Sequence, residues 1–204
     1  MSATAQDLPR DADADGVERF RAASWRGYER LLELRGDQGG VRIACLDGEI
    51  ELMSPSRPHE TLKSLIGSLV ETFCQVRGIE YAALGSWTLK QAALGCGVEP
   101  DASYVFGTES AFDPSSMPVP HLAIEVMWTS GSLDKLEIYR RLGVPEVWVW
   151  RDGRLEAHCL LGEQFSIAPR SAVLPGLVVA ELASVLDAPW TSQAVRAYRA
   201  MLLA

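Results

Sequence analysis

The sequence predicts a mixed α/β (α+β) domain, with a central sheet of mixed strand direction flanked by helices. Leu62, Leu65, Ile66, Leu69, Val70 and Phe73 recur at helical spacing and mark a long helix whose apolar stripe must pack on a sheet. The short apolar run HLAIEV is followed by a helical pattern and then by VPEVWVW. That strand, helix, strand order implies a right-handed crossover between parallel strands. Asp47-Gly48, lying between two alternating runs, is a two-residue hairpin signal.

The elements follow in order. The opening MSATAQDLPRDADADG is acidic and rich in small residues, so residues 1–16 read as a disordered tail ahead of a single domain over 17–204. At 204 residues and 48% hydrophobic content, the chain can bury one substantial core. Ser24 is placed to cap a helix bearing Trp25, Tyr28, Leu31, Leu32 and Leu34, which Gly36 would stop. VRIACL and EIELMS form the hairpin around Asp47-Gly48, and a turn at 55–58 leads into the long helix over 59–77, ended by Gly78. The stretches IEYAALGSWTLKQ and ASYVFG read as strands. The polar, proline-rich GTESAFDPSSMPVP reads as a surface loop near the site, and HLAIEV as a buried strand. Leu133, Leu136, Ile138, Tyr139 and Leu142 fit a helix closed by Gly143. RDGRLEAHCLLGEQFSIAP reads as an antiparallel meander turning at Asp152-Gly153 and Gly162-Glu163. One short and one terminal helix complete the chain. The terminal helix carries an apolar face of Val195, Tyr198, Met201 and Leu202 that has to be buried on its own domain or in a homodimer.

Charge and cysteine usage narrow the function classes. A net charge of -8 is the opposite of the broad basic footprint of proteins that coat themselves with nucleic acid, leaving only a local patch of Arg140, Arg141, Arg151 and Arg154 to face a phosphate backbone. Cys45, Cys74, Cys96 and Cys159 lie far apart, with no CxxC pair and no zinc-ligand spacing, as in a reduced cytoplasmic protein. No run approaches the roughly 20 apolar residues that span a bilayer, so a membrane is not expected as a partner.

The chemistry concentrates between Val98 and Tyr139. Asp101 follows Pro100 at the start of a strand, and Glu125 interrupts the apolar run LAIEV, where a carboxylate is costly unless paired or metal-bound. Lys135 lies on the next helix, with Tyr139 one turn on along the same face. Two strand-borne carboxylates and an amine are the parts needed for metal-assisted phosphodiester hydrolysis, in which carboxylates hold a hard cation and an ammonium offsets charge on the phosphate. The bland alternative for Glu125 is a structural ion pair, with Lys135 or an arginine. His59 and Glu60 open the long helix, where either could reach a metal; His121 and His158 occupy ordinary strand positions and read as structural.

Five segments, LDGEIELMSPSRPH, VEPDASYVF, HLAIEV, LDKLEIYRRLGVPEVWVW and SAVLPGLVV, are similar in order and spacing to the Uma-type family of candidate bacterial restriction endonucleases, placed in the PD-(D/E)XK nuclease superfamily. The resemblance covers residues 25–186. It implies a restriction-endonuclease-like core and nucleic acid, DNA first, as substrate. It also implies Asp101 and Glu125 as ligands for Mg2+ or Mn2+, Lys135 as the positively charged catalytic group and Tyr139 as its buttress. Glu49 and His59 match further positions of the family's segments and are supporting candidates. Two departures stand out. The superfamily's commonest pattern places its lysine two residues after the acid, where this chain has Met127. Trp128 stands where a small residue is expected, and its indole would narrow or close the cleft. Two rival functions follow: an inactive nuclease-fold interaction or nucleic-acid-binding module, and a metal-dependent hydrolase of a small phosphorylated substrate.

Overall fold

The computed structural model describes residues 14–36, 40–107, 113, 116, 118–127 and 133–204. The chain runs β1 (Gly16–Phe20), α1 (Trp25–Arg35), β2 (Arg42–Leu46), β3 (Glu49–Ser54), α2 (Arg57–Arg77), β4 (Glu80–Ala83), β5 (Leu89–Gln91), β6 (Cys96–Val98) and β7 (Ala102–Gly107). It continues through β8 (Leu122–Met127), α3 (Lys135–Leu142), β9 (Glu146–Arg151), β10 (Arg154–Leu161), β11 (Gln164–Ala168), α4 (Val179–Ala183) and α5 (Thr191–Leu203). Two sheets result, in the orders β1-β3-β2-β6-β5 and β11-β10-β9-β8-β7-β4. The first is antiparallel throughout. In the second, β8 and β9 run parallel and the other pairs antiparallel, so the parallel pairing expected around α3 is present. The mixed α+β architecture, a mixed sheet with flanking helices, agrees with the expected restriction-endonuclease-like core.

Local chemistry explains most boundaries. The Ser24 hydroxyl accepts from Gly27 N to start α1, and Gly36 closes it by donating to Leu32 O. Asp47 and Gly48 both take positive φ, 49° and 84°, as a two-residue hairpin with the right twist requires. Helix α2 begins two residues before the expected start because Ser56 accepts from His59 N and Pro58 sits in the first turn, where a missing N–H costs nothing. Gly78 ends it in the left-handed conformation.

The sequence reading differs from the structure in three places. The run 79–91 is shared between sheets: β4 is an edge of the six-stranded sheet and β5 an edge of the five-stranded one. β6, only three residues long, lacks enough length to show alternation. β1 has no counterpart in the expected layout, since its signal is tertiary: Gly16 to Phe20 pair with Ser54 to Ile50 of β3. Residues 1–13 of the expected tail and most of the expected 107–120 loop lie outside the described residues.

Packing puts a helix layer on each side of the six-stranded sheet. Leu122, Ile124, Val126 and Trp148 point toward α2, α4 and α5, where they join Ile66, Leu69, Phe73, Leu182 and Tyr198. The alternate residues, Ala123, Val147 and Val149, face α3 and the five-stranded sheet, with Ile138, Tyr139 and Ala44. On the far side of that second sheet, Ile43, Cys45 and Ile50 pack on Tyr28 of α1. The terminal helix therefore buries Ala194, Tyr198 and Leu202 within its own domain. Truncating a fully buried Leu, Ile or Phe costs about 2–5 kcal/mol, against about 0–1 for an exposed ion pair, so these layers set the fold's stability.

The closest approach is at Gly97, where an added Cβ would lie 2.3 Å from the Tyr28 hydroxyl and 2.8 Å from its ring. Gly97→Ala should lower unfolding free energy by roughly 1–3 kcal/mol in urea titrations, because the buried ring cannot yield. Gly107→Ala, where a Cβ meets nothing within 4 Å, should stay within about 0.5 kcal/mol of wild type.

Candidate active site

Asp101 ends the approach to β7 and Glu125 lies within β8. The register pairs Ala102 with Ile124, so Asp101 stands opposite Glu125 and their side chains share one face of the sheet. That face is the one covered by α3 and the five-stranded sheet. Both carboxylates are about 1% exposed. Two buried acids at opposed positions repel each other unless cations and donors surround them.

Those donors come from β8 itself and from three other elements. Lys135, the first residue of α3, places Nζ 2.7 Å from Glu125 Oε2. Tyr139, one turn on, donates its hydroxyl to Glu125 Oε1. The helix can present Lys135 this way because Asp134 caps it, accepting from Glu137 N at 3.0 Å. The amine thus reaches the acid from a neighbouring helix and not from position 127. Asp101 Oδ2 accepts from Val126 N at 2.7 Å and lies 2.9 Å from His59 Nε2. His59 Nδ1 lies 2.8 Å from Asp15 Oδ2, while Asp15 Oδ1 accepts from Ser56 N at 2.7 Å. Arg42 of β2 brings Nε to 2.9 Å from Asp101 Oδ1 and bonds Glu60 Oε1 through Nη2 at 2.9 Å.

The electrostatics follow. Burial alone would raise the Asp101 pKa, but the approach of His59 and the charges of Lys135 and Arg42 outweigh it and hold the carboxyl below its ordinary value. Burial raises Glu125, and the negative charge of Asp101 adds to that, against the pull of Lys135. Burial also works against the Lys135 and His59 cations, yet the facing carboxylates win and raise both. Environments that push two neighbouring acids apart in this way are characteristic of functional sites.

Asp101, Glu125, Lys135, Tyr139 and His59 are thus brought together. Glu49 is not: it lies at the hairpin end of β3, half-exposed, with Arg21 at 3.5 Å. Its neighbour two residues on, Glu51, is buried and accepts from Arg19 Nη2 at 3.0 Å and from Leu133 N at 2.8 Å, tying β1 and the entrance of α3 to the site. Sequence reasoning passed over Arg42, Asp15 and Glu51. Arg42 carried the signal that flagged Glu125, a charge inside an apolar run, VRIACL. Asp15 carried none, hidden in an acidic stretch. Trp128 lies outside the described residues. His121 and His158 keep to strand contacts, with Phe106 N and Glu156 respectively. Half of the expected basic patch is spent: Arg140 pairs with Glu137, and Arg141 with Glu137 and Asp47. Those two arginines hold the Glu137 carboxyl down to about 2. The four cysteines are free and buried.

Among the described residues no group of three or more His, Cys, Asp and Glu side chains is set to hold a metal ion. The pair Asp101 and Glu125 still fits a hard cation. It is an all-oxygen set, and the buried Asp101 Oδ1 has no hydrogen-bond partner. Among the described residues no helix is long and apolar enough to cross a membrane.

A family profile described as "Putative restriction endonuclease" matches residues 25–190. No curated protein matches the chain.

Removing one partner of a buried pair leaves the other charge uncompensated, so Lys135→Met should cost roughly 3–5 kcal/mol in chemical denaturation. In the double variant with Glu125→Gln, most of that loss should return; simple additivity of the two losses would contradict the pairing. Because the folded-state pKa of Asp101 lies below 3.8, its ionisation stabilises the fold above that pH and the contribution fades as pH falls through the lowered value. Asp101→Asn should therefore flatten the acid limb of stability below pH 3.8, read as urea midpoints against pH.

Proposed function

The chain belongs to the Uma2 family, and from that premise we propose that it is a metal-dependent endonuclease hydrolysing phosphodiester bonds of nucleic acid, DNA foremost. The observation that carries this reading is Lys135 Nζ at 2.7 Å from Glu125, on the face Glu125 shares with Asp101. An amine delivered from a separate element onto an acid opposite a second acid is what the chemistry needs. A surface ion pair would not require it.

Asp101 and Glu125 would hold Mg2+ or Mn2+, which supplies Lewis acidity and lowers the pKa of a bound water. The chain's own groups do the rest. Asp101 Oδ1, ionised and without a hydrogen-bond partner, offers the ligand atom. Tyr139 fixes the orientation of Glu125 through Oε1. Lys135 offers a buried positive charge to the negative charge that develops on the attacked phosphate. His59, braced by Asp15, holds Asp101 at its other oxygen, Oδ2. The surrounding apolar shell of Ala123, Leu133 and Val149 excludes water and strengthens each of these interactions.

One observation favours a second reading, an inactive nuclease-fold module. Both Glu125 oxygens already accept hydrogen bonds, from Lys135 and Tyr139, as a purely structural pair would. Calorimetric titration of manganese separates the two. The nuclease reading expects saturable binding in the wild type, lost in Asp101→Asn and Glu125→Gln. A wild type that binds none, with no cleavage of plasmid or single-stranded DNA or RNA, would leave the module. Given metal binding, Lys135→Ala should lower cleavage by roughly 10²–10³-fold while circular dichroism reports an intact fold.

A further inference from the structure

We propose that Arg42 is a tethered counter-cation that occupies the ligand position of Asp101 and must give way when a divalent cation binds, so that it sets the metal affinity of the site. This rests on the reading of Asp101 and Glu125 as metal ligands.

Three observations lead there. Asp101 has one oxygen already engaged: Oδ2 accepts from Val126 N and faces His59 Nε2. The remaining oxygen, Oδ1, is the atom a cation would use, and Arg42 Nε sits 2.9 Å from it. Neither Arg42 Nε nor Asp101 Oδ1 gains a hydrogen bond from this approach. A guanidinium normally meets a carboxylate with two aligned N–H donors, so this contact is held by charge without the alignment that makes such pairs strong.

The other arm of Arg42 has a separate hold. Nη2 donates to Glu60 Oε1 at 2.9 Å, and Glu60, in the first turn of α2, is 41% exposed and also pairs with Lys63. Arg42 can therefore leave Oδ1 and keep an acidic partner. While it stays, its charge favours the ionised form of Asp101 in a buried site, a task a divalent cation would perform with twice the charge. Arg42 is itself only 8% exposed, so it cannot be replaced by bulk solvent cations without moving.

The sign of one measurement tests this. Residues that merely support metal ligands weaken binding on the order of 10–100-fold when removed. A competitor does the reverse. Manganese titrated calorimetrically into Arg42→Met should bind about tenfold tighter than into the wild type. Lys63→Met, which removes a nearby positive charge that makes no contact with Asp101, should shift affinity by less than about threefold, excluding a general charge effect. Equal or weaker binding in Arg42→Met, or an equal gain in Lys63→Met, would overturn the proposal. Should Arg42→Met not fold, the wild type carries the test. The Arg42 Nε–H signal in proton–nitrogen NMR should move on saturation with Mg2+, and a signal unmoved at saturation would overturn it. Absence of metal binding in wild type and every variant would instead sink the underlying nuclease reading.

Discussion

Two carboxylates face each other across β7 and β8 in a space sealed from water, and most of the surrounding architecture answers to their repulsion. The six-stranded sheet supplies the acids. The compensating groups come from elsewhere: Lys135 and Tyr139 from α3, His59 from the first turn of α2, Arg42 from the five-stranded sheet. Each is positioned by an element that also packs on the core, so burial of apolar surface holds the charges in place and the charges in turn fix how the elements meet. Of the two effects, the apolar layers supply the greater stabilisation, whereas the ionic groups specify relative placement.

The same logic explains the first described residues of the chain. β1 adds an edge to the five-stranded sheet, but its site-directed contribution comes from Asp15 and Arg19. Asp15 links Ser56 N to His59, and Arg19 pairs with the buried Glu51, which in turn holds Leu133 N at the entrance to α3. A short strand with little core of its own thereby braces both sides of the acidic pair. Glu99 plays a comparable part between layers, accepting from Arg35 of α1, Thr88 and Ile43 N of β2.

What the sequence disclosed divides by the range of the interaction. Caps, the Asp47-Gly48 hairpin, the α2 stripe and the β8, α3, β9 order rest on neighbours within a few residues or on short periodicities, and they were legible. Glu125 was legible because a charge inside an apolar run has few explanations, and Lys135 because it follows on the adjoining helix. β1, β6 and the split of 79–91 depend on which distant strand offers an open edge, and no local pattern records that. Asp15 was masked by composition, since one acid among many in the opening stretch has no distinguishing mark. Glu49 was named through the resemblance, and Glu51 was passed over; the two alternate onto the same face of β3, and only the packing of Arg19 and Leu133 separates the buried one from the half-exposed one.

The amine that meets Glu125 belongs to a helix, so the separation of acid and base along the chain is not bound by the two-residue alternation of a strand. A helix turns each successive residue about 100° and advances it about 1.5 Å, so residues three or four apart can exchange places with little backbone adjustment. Position 139, one turn beyond Lys135, already reaches the other oxygen of the same acid. A lysine relocated to that position, with an aromatic hydroxyl at 135, would keep both donors on the carboxylate. Searches keyed to a rigid acid-to-lysine interval would overlook such a chain, whereas one that asks which helix shelters the acid would find it.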